Sequence, residues 1–153
     1  MKPTLFATGL PSHRPTEVAQ FFIPAAASLQ EAITTTEVPL RYALAHVAAL
    51  RATAALLAAR TSPVPAPRRG RAQKNAWVLL AEVAPELAEW AAFFSAGAAK
   101  RAAAEAGSQR AVTEREADDL VRDADRFLGL VEEALGLHRH VPVPEHLPVS
   151  CAS

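Results

Sequence analysis

The sequence predicts an all-α fold: an up-and-down bundle of four to five helices in one domain, with extended ends. Three observations predict it. Leu120, Ala124, Phe127, Leu128, Val131 and Leu135 recur at helical spacing, no useful stretch alternates as a strand would, and Pro and Gly punctuate the runs between. A chain of 153 residues, 50% apolar, suffices for one core; a domain of that size buries roughly two-thirds of its unfolded surface.

Residues 1–16 carry Pro3, Pro11 and Pro15 without helical periodicity and read as an arm, leaving the bundle to residues 17–136. Phe21, Phe22 and Ile23 precede Pro24, a suitable first residue for a helix ending near Ile33, because proline at that position gives up no intrahelical bond. Pro39 opens a second helix, to about residue 61. It is apolar almost all round, with Leu40, Leu44, Val47, Leu50, Leu56 and Leu57 among alanines, which places it at the centre. Residues 62–74 (SPVPAPRRGRAQK) form a stiff, then basic, exposed loop.

Asn75 caps a third helix to about Ala84, Pro85 restarts the chain as a further helical segment, Gly97 bends it and Gly107 ends it. Thr113 and Glu116 have capping-box spacing at the start of the last helix, which Gly136 stops. Residues 137–153, with Pro142, Pro144 and Pro148, read as an extended tail.

Formal net charge is zero, so the molecule as a whole exerts no pull on nucleic acid or an anionic membrane. The halves differ: residues 1–76 hold nine Lys/Arg against three Asp/Glu, and residues 77–153 hold seven against thirteen. Either the basic early helices pair with acidic later ones, within the bundle or across a dimer, or a basic patch lies beside an acidic face. Arg41, His46 and Arg51 interrupt the apolar second helix, so no clean run of about 20 apolar residues is expected to span a membrane. The N-terminal ten residues lack the sustained apolar segment of a secretory signal. The single Cys151 has no internal partner and fits a reducing compartment. The expected location is cytoplasmic.

Those polar residues carry the chemical interest. A buried charge costs several kcal/mol unless answered, so Arg41, His46 and Arg51 must reach a carboxylate, a backbone acceptor, solvent or a ligand. On a helical wheel Tyr42, His46 and Thr53 lie within about 40° of one another while Arg41 lies about 140° from His46. One reading pairs Arg51 with an acidic neighbour and makes His46 a satisfied core residue; the other makes them a site. Glu82, Glu86 and Glu89 form one carboxylate stripe if the helix runs through Pro85. Asp119, Arg122, Asp123 and Arg126 form a solvent-facing ladder. Arg68, Arg69, Arg71 and Lys74 suit phosphate contact without base readout. His138, His140, His146 and Cys151 are too irregularly spaced for a zinc site. No metal and no cofactor are expected.

The segments Leu40 to Arg60 (LRYALAHVAALRATAALLAAR), Ala76 to Phe94 and Arg110 to Leu135 resemble a HEPN domain (higher eukaryotes and prokaryotes nucleotide-binding), and more narrowly small stand-alone HEPN proteins of high-GC bacteria. The resemblance covers about residues 24–136. It implies a bundle of four or five helices and a homodimer with a shared cleft. In active members an R-x4-6-H motif makes a metal-independent ribonuclease, of toxin or defence type, with His as general acid/base and Arg stabilising phosphorane charge. Arg41 and His46 match that spacing, but Tyr42 stands where the family has Asn, Asp or His, and the motif comes early in the chain. The resemblance thus implies Arg41 and His46 as catalytic pair, Arg51, Arg68, Arg69, Arg71 and Lys74 as nucleic-acid contacts, and RNA as partner. The other reading is a non-catalytic scaffold with a protein partner.

Overall fold

The computed structural model describes residues 15–61 and 75–137. The protein is an all-α bundle. Helix α1 is Pro15–Thr34, α2 Val38–Arg60, α3 Ala76–Val83, α4 Ala88–Ala96, α5 Ala98–Glu105 and α6 Glu114–Ala134, with a 3-10 turn at Pro85–Leu87. The arm 1–14, the basic segment 62–74 and the tail 138–153 lie outside the described residues.

Helix α2 is the axis. It packs most extensively on α1 and α6, and also on α3 and α5. Ala45, Ala48, Ala49 and Ala52 are fully buried along it, so neighbouring helices approach closely from several sides at once. By length and composition α2 is apolar enough to cross a membrane, contrary to the expectation from its polar interruptions, and 56% of its apolar window is buried inside the bundle. That burial accounts for its composition.

The first helix begins at Pro15, well before the expected start, and carries Pro24 inside it. An interior proline removes one helical hydrogen bond and crowds the preceding turn. The helix continues because Val18 and Phe22 are buried before the proline as Ala25 and Leu29 are after it; tertiary burial outweighs the local cost.

Segments α3, α4 and α5 form a broken rod. The break at Pro85 and the bend at Gly97 fall where the sequence puts them. Ala84 leaves helical geometry (φ −133°, ψ 77°), as the residue before a proline tends to. The stripe expected of Glu82, Glu86 and Glu89 is therefore interrupted, and Glu86 instead accepts from Arg60 at 3.3 Å. Gly107 (φ 85°) and Gly136 (φ 70°) adopt left-handed backbone that disfavours any side chain. Each closes its helix with paired bonds: Gly107 N–H to Ala104 and Ser108 N–H to Ala103, then Gly136 N–H to Glu133 and Leu137 N–H to Glu132.

Helix α6 has the expected capping box, with Thr113 and Glu116 each accepting from the other's backbone. Its stripe of Leu120, Ala124, Phe127, Leu128 and Val131 is buried. Phe94 of α4 joins the rod to this stripe, with ring centroids 5.2 Å from both Phe127 and Trp77 and 6.0 Å from Trp90.

Candidate functional site

Helix α2 directs its polar residues toward different neighbours. Arg41 is half-buried and turns to the start of α6, where Nη1 donates to Asp118 Oδ1 at 2.5 Å. Its Nε and Nη2 donate to the Thr35 carbonyl at 3.3 and 3.1 Å. The guanidinium is thus both neutralised and oriented.

His46 turns toward the rod. It is 1% exposed, with its ring edge-on to Trp77 (5.9 Å) and Phe94 (5.6 Å). Nε2 lies 2.9 Å from the Phe94 carbonyl. A carbonyl only accepts, so Nε2 carries the hydrogen and, in the neutral ring, Nδ1 is the acceptor. Nδ1 is buried and unpartnered. Burial pushes the His46 pKa below the ordinary histidine value; the Phe94 carbonyl opposes this and nearby Arg101 adds to it. The resting ring is neutral.

Tyr42 lies one turn before His46 on the same face, as the helical wheel requires, and is also buried. Its hydroxyl faces Gly97, where a Cβ would come within 3.3 Å of Tyr42 Oη and 3.5 Å of His46 Nε2. Gly97 sits in ordinary helical backbone (φ −83°, ψ 0°), so its role here is close approach. Burial raises the Tyr42 pKa, with the nearby Lys100 ammonium opposing.

A pocket of about 270 Å³ opens here, lined by Tyr42, His46, Phe93, Phe94, Gly97 and Lys100 together with Ala96 and Leu120. At its rim Lys100 of α5 is ion-paired with Glu116 of α6, the same Glu116 that accepts from Thr113 in the capping box. One carboxylate thereby ties the start of α6 to the pocket mouth.

Of the residues singled out from sequence, Arg41 and His46 are thus held by different neighbours. Among the described residues Arg51 does not pair with an acidic residue, as one reading had it. It is exposed and donates to Ser28 Oγ at 2.7 Å, because the face of α1 opposite it offers a hydroxyl. Arg68, Arg69, Arg71 and Lys74 fall outside the described residues, as do His138, His140, His146 and Cys151. The ladder on α6 is present as Arg122 with Asp119 (3.0 Å) and Arg126 with Asp123 (3.7 Å). Among the described residues no group of three or more His, Cys, Asp or Glu is gathered to hold a metal ion.

Gly97, Lys100 and Phe94 had no signal as site residues. They lie in an alanine-rich stretch, and only the fold carries them to α2. Tyr42 was visible, four residues before His46.

A family model described as SAV_6107-like HEPN matches residues 32–132. No curated protein and no solved structure matches the chain.

Proposed function

The chain belongs to the SAV_6107-like HEPN family, and from that premise we propose that it is a non-catalytic module that binds single-stranded nucleic acid. One observation carries the non-catalytic part: Arg41 is engaged by Asp118 and the Thr35 carbonyl, while His46 is sealed against Phe94 on another side of α2. Cleavage at a 2′-hydroxyl needs a base beside the nucleophile and a cation beside the phosphate. Arg41 in this chain already has its counter-charge, and His46 is almost wholly buried.

Binding is supported by the sequence. Arg68, Arg69, Arg71 and Lys74 supply phosphate contacts, and Arg51 is exposed on α2. Affinity from such contacts falls steeply with salt.

A second reading is a metal-independent ribonuclease through Arg41 and His46, in a homodimer whose cleft joins two copies. It is favoured by the R-x4-H spacing and by the buried, unpartnered Nδ1 of His46. One experiment separates the two readings. Structured and unstructured RNA are incubated in EDTA with wild type, Arg41→Ala and His46→Ala, and binding is followed by polarisation across a salt series. Intact RNA with salt-sensitive binding is the expected result. Cleavage by wild type that both folded variants lose would establish the ribonuclease, and absence of binding at low salt would reject the nucleic-acid role.

A further inference from the structure

We propose that the pocket between α2, α4 and α5 takes a single unstacked nucleobase, its plane on Phe93 and its polar edge on the Tyr42 hydroxyl and the Lys100 ammonium. The proposal rests on the nucleic-acid reading above and names the part of the ligand that the pocket recognises.

Size comes first. At about 270 Å³ the pocket lies just below the range of roughly 300–1,000 Å³ that holds drug-sized ligands, so its occupant is a small ring system. The walls are aromatic on one side: Phe94 is buried, but Phe93 beside it is 45% exposed, which leaves a ring face for an incoming plane. Base-on-aromatic stacking is tolerant of base identity and suits single strands, whose bases are free to turn outward.

Charge comes second. Lys100 is balanced by Glu116 and His46 is neutral, so the pocket has no excess positive charge to hold a phosphate. It offers instead a neutral edge of mixed character. The Tyr42 hydroxyl both donates and accepts, and the Lys100 ammonium donates. A heteroaromatic ring with adjacent donors and acceptors satisfies that edge, whereas an aliphatic ligand leaves it unmet.

Space at the polar end comes third. Gly97 leaves bare backbone beside the Tyr42 hydroxyl, and a single methyl there would sit 3.3 Å from that oxygen. Gly97→Ala therefore crowds the Tyr42 hydroxyl, with ordinary contacts of 3.5 Å to His46 Nε2 and the Phe94 carbonyl, and Phe93→Ala removes the stacking wall from an exposed position. Both variants are expected to fold, which circular dichroism checks.

The test compares a short oligoadenylate with an abasic ribose-phosphate oligomer of equal length, at low salt. The base-bearing strand is expected to bind roughly tenfold tighter, the scale of one stacked base. That preference should shrink toward unity in Phe93→Ala and Gly97→Ala, with abasic affinity unchanged. Equal binding of both oligomers by wild type overturns the pocket assignment and leaves the nucleic-acid reading standing. If neither oligomer binds, the nucleic-acid reading fails, and adenosine titrated in saturation-transfer NMR judges the pocket alone. Ring-proton enhancements lost in Gly97→Ala support it, and their absence in wild type overturns it.

Discussion

At Arg41, α2 meets α6 through a charged pair near the solvent edge; at His46 it meets α4 through a buried, neutral ring. Both are polar groups in an apolar helix, and the two contacts answer them differently. Arg41 keeps its charge because Asp118 and the Thr35 carbonyl replace its hydration. His46 gives up its charge, because a carbonyl and aromatic rings favour the neutral form. Charge retention holds a group in one orientation. Charge loss leaves a buried, unpartnered lone pair on Nδ1, and the same side chain lines a pocket. The contrast suggests where ligand chemistry belongs on this helix: on the His46 side, where polar capacity remains unused.

The sharpest way to break the comparison is to remove the ring that closes the His46 side. Phe94 is 1% exposed and meets Trp77, Trp90 and Phe127. Phe94→Ala is expected to cost about 3–5 kcal/mol, the transfer term plus a cavity, measured by urea unfolding. It should also expose His46 to water and restore its titration near the ordinary value. A loss under about 1 kcal/mol would mean the rod is not anchored through this ring.

The Arg41 side should yield less. Asp118→Ala leaves a partly buried guanidinium without its counter-charge, and hydrogen bonds to charged groups are worth about 1.5–3 kcal/mol. The expected loss lies in that range, and Arg41→Ala with Asp118→Ala should be less damaging than the sum of the two. A double-mutant cycle that gives no coupling would show that the pair contributes nothing.

Those two contacts also mark how far the sequence could be read. Helix α6 was legible down to its capping box and its glycine stop, because one side faces water and the pattern is written in full. Helix α2 was legible as central for the opposite reason, having no water-facing stripe. The start of α1 was not, since Pro24 looks like an opening residue and only the burial of Val18 and Phe22 carries the helix past it. The candidate site was half legible. The wheel separates Arg41 from His46 and joins Tyr42 to His46, yet nothing local announces that Gly97 and Lys100 complete the pocket. Alanine-rich helices hide their neighbours in this way, because small side chains fit against almost any surface.

Acid offers a gentler probe. The folded state holds His46 below its ordinary value of 6.5, so on acidification the unfolded chain takes up this proton first. Stability due to this group is therefore complete well above pH 6.5 and declines as pH falls from there toward the depressed folded value. The decline stops once both states are protonated. Urea midpoints measured at successive pH values should slope downward across that window, and His46→Gln should flatten the slope. An identical slope in the variant would assign the dependence to other groups.

The smallest effect is expected on the outer face of α6, where Arg122 and Asp119 lie 3.0 Å apart and Asp119 is more than half exposed. Exposed pairs of this kind contribute about 0–1 kcal/mol, since water screens the attraction and ordering two long side chains costs entropy. Arg122→Ala should shift the unfolding midpoint by less than about 0.5 kcal/mol, the usual scale for surface substitutions, with no change in nucleic-acid affinity. The geometry resembles the Arg41 contact, with an Arg reaching an Asp at hydrogen-bond distance. What differs is the surroundings: Asp118 and Arg41 are 24% and 14% exposed, and removing one leaves the other where water solvates it poorly. If the two substitutions cost the same, burial is not what makes the Arg41 contact matter, and the distinction between the two sides of α2 loses its physical basis.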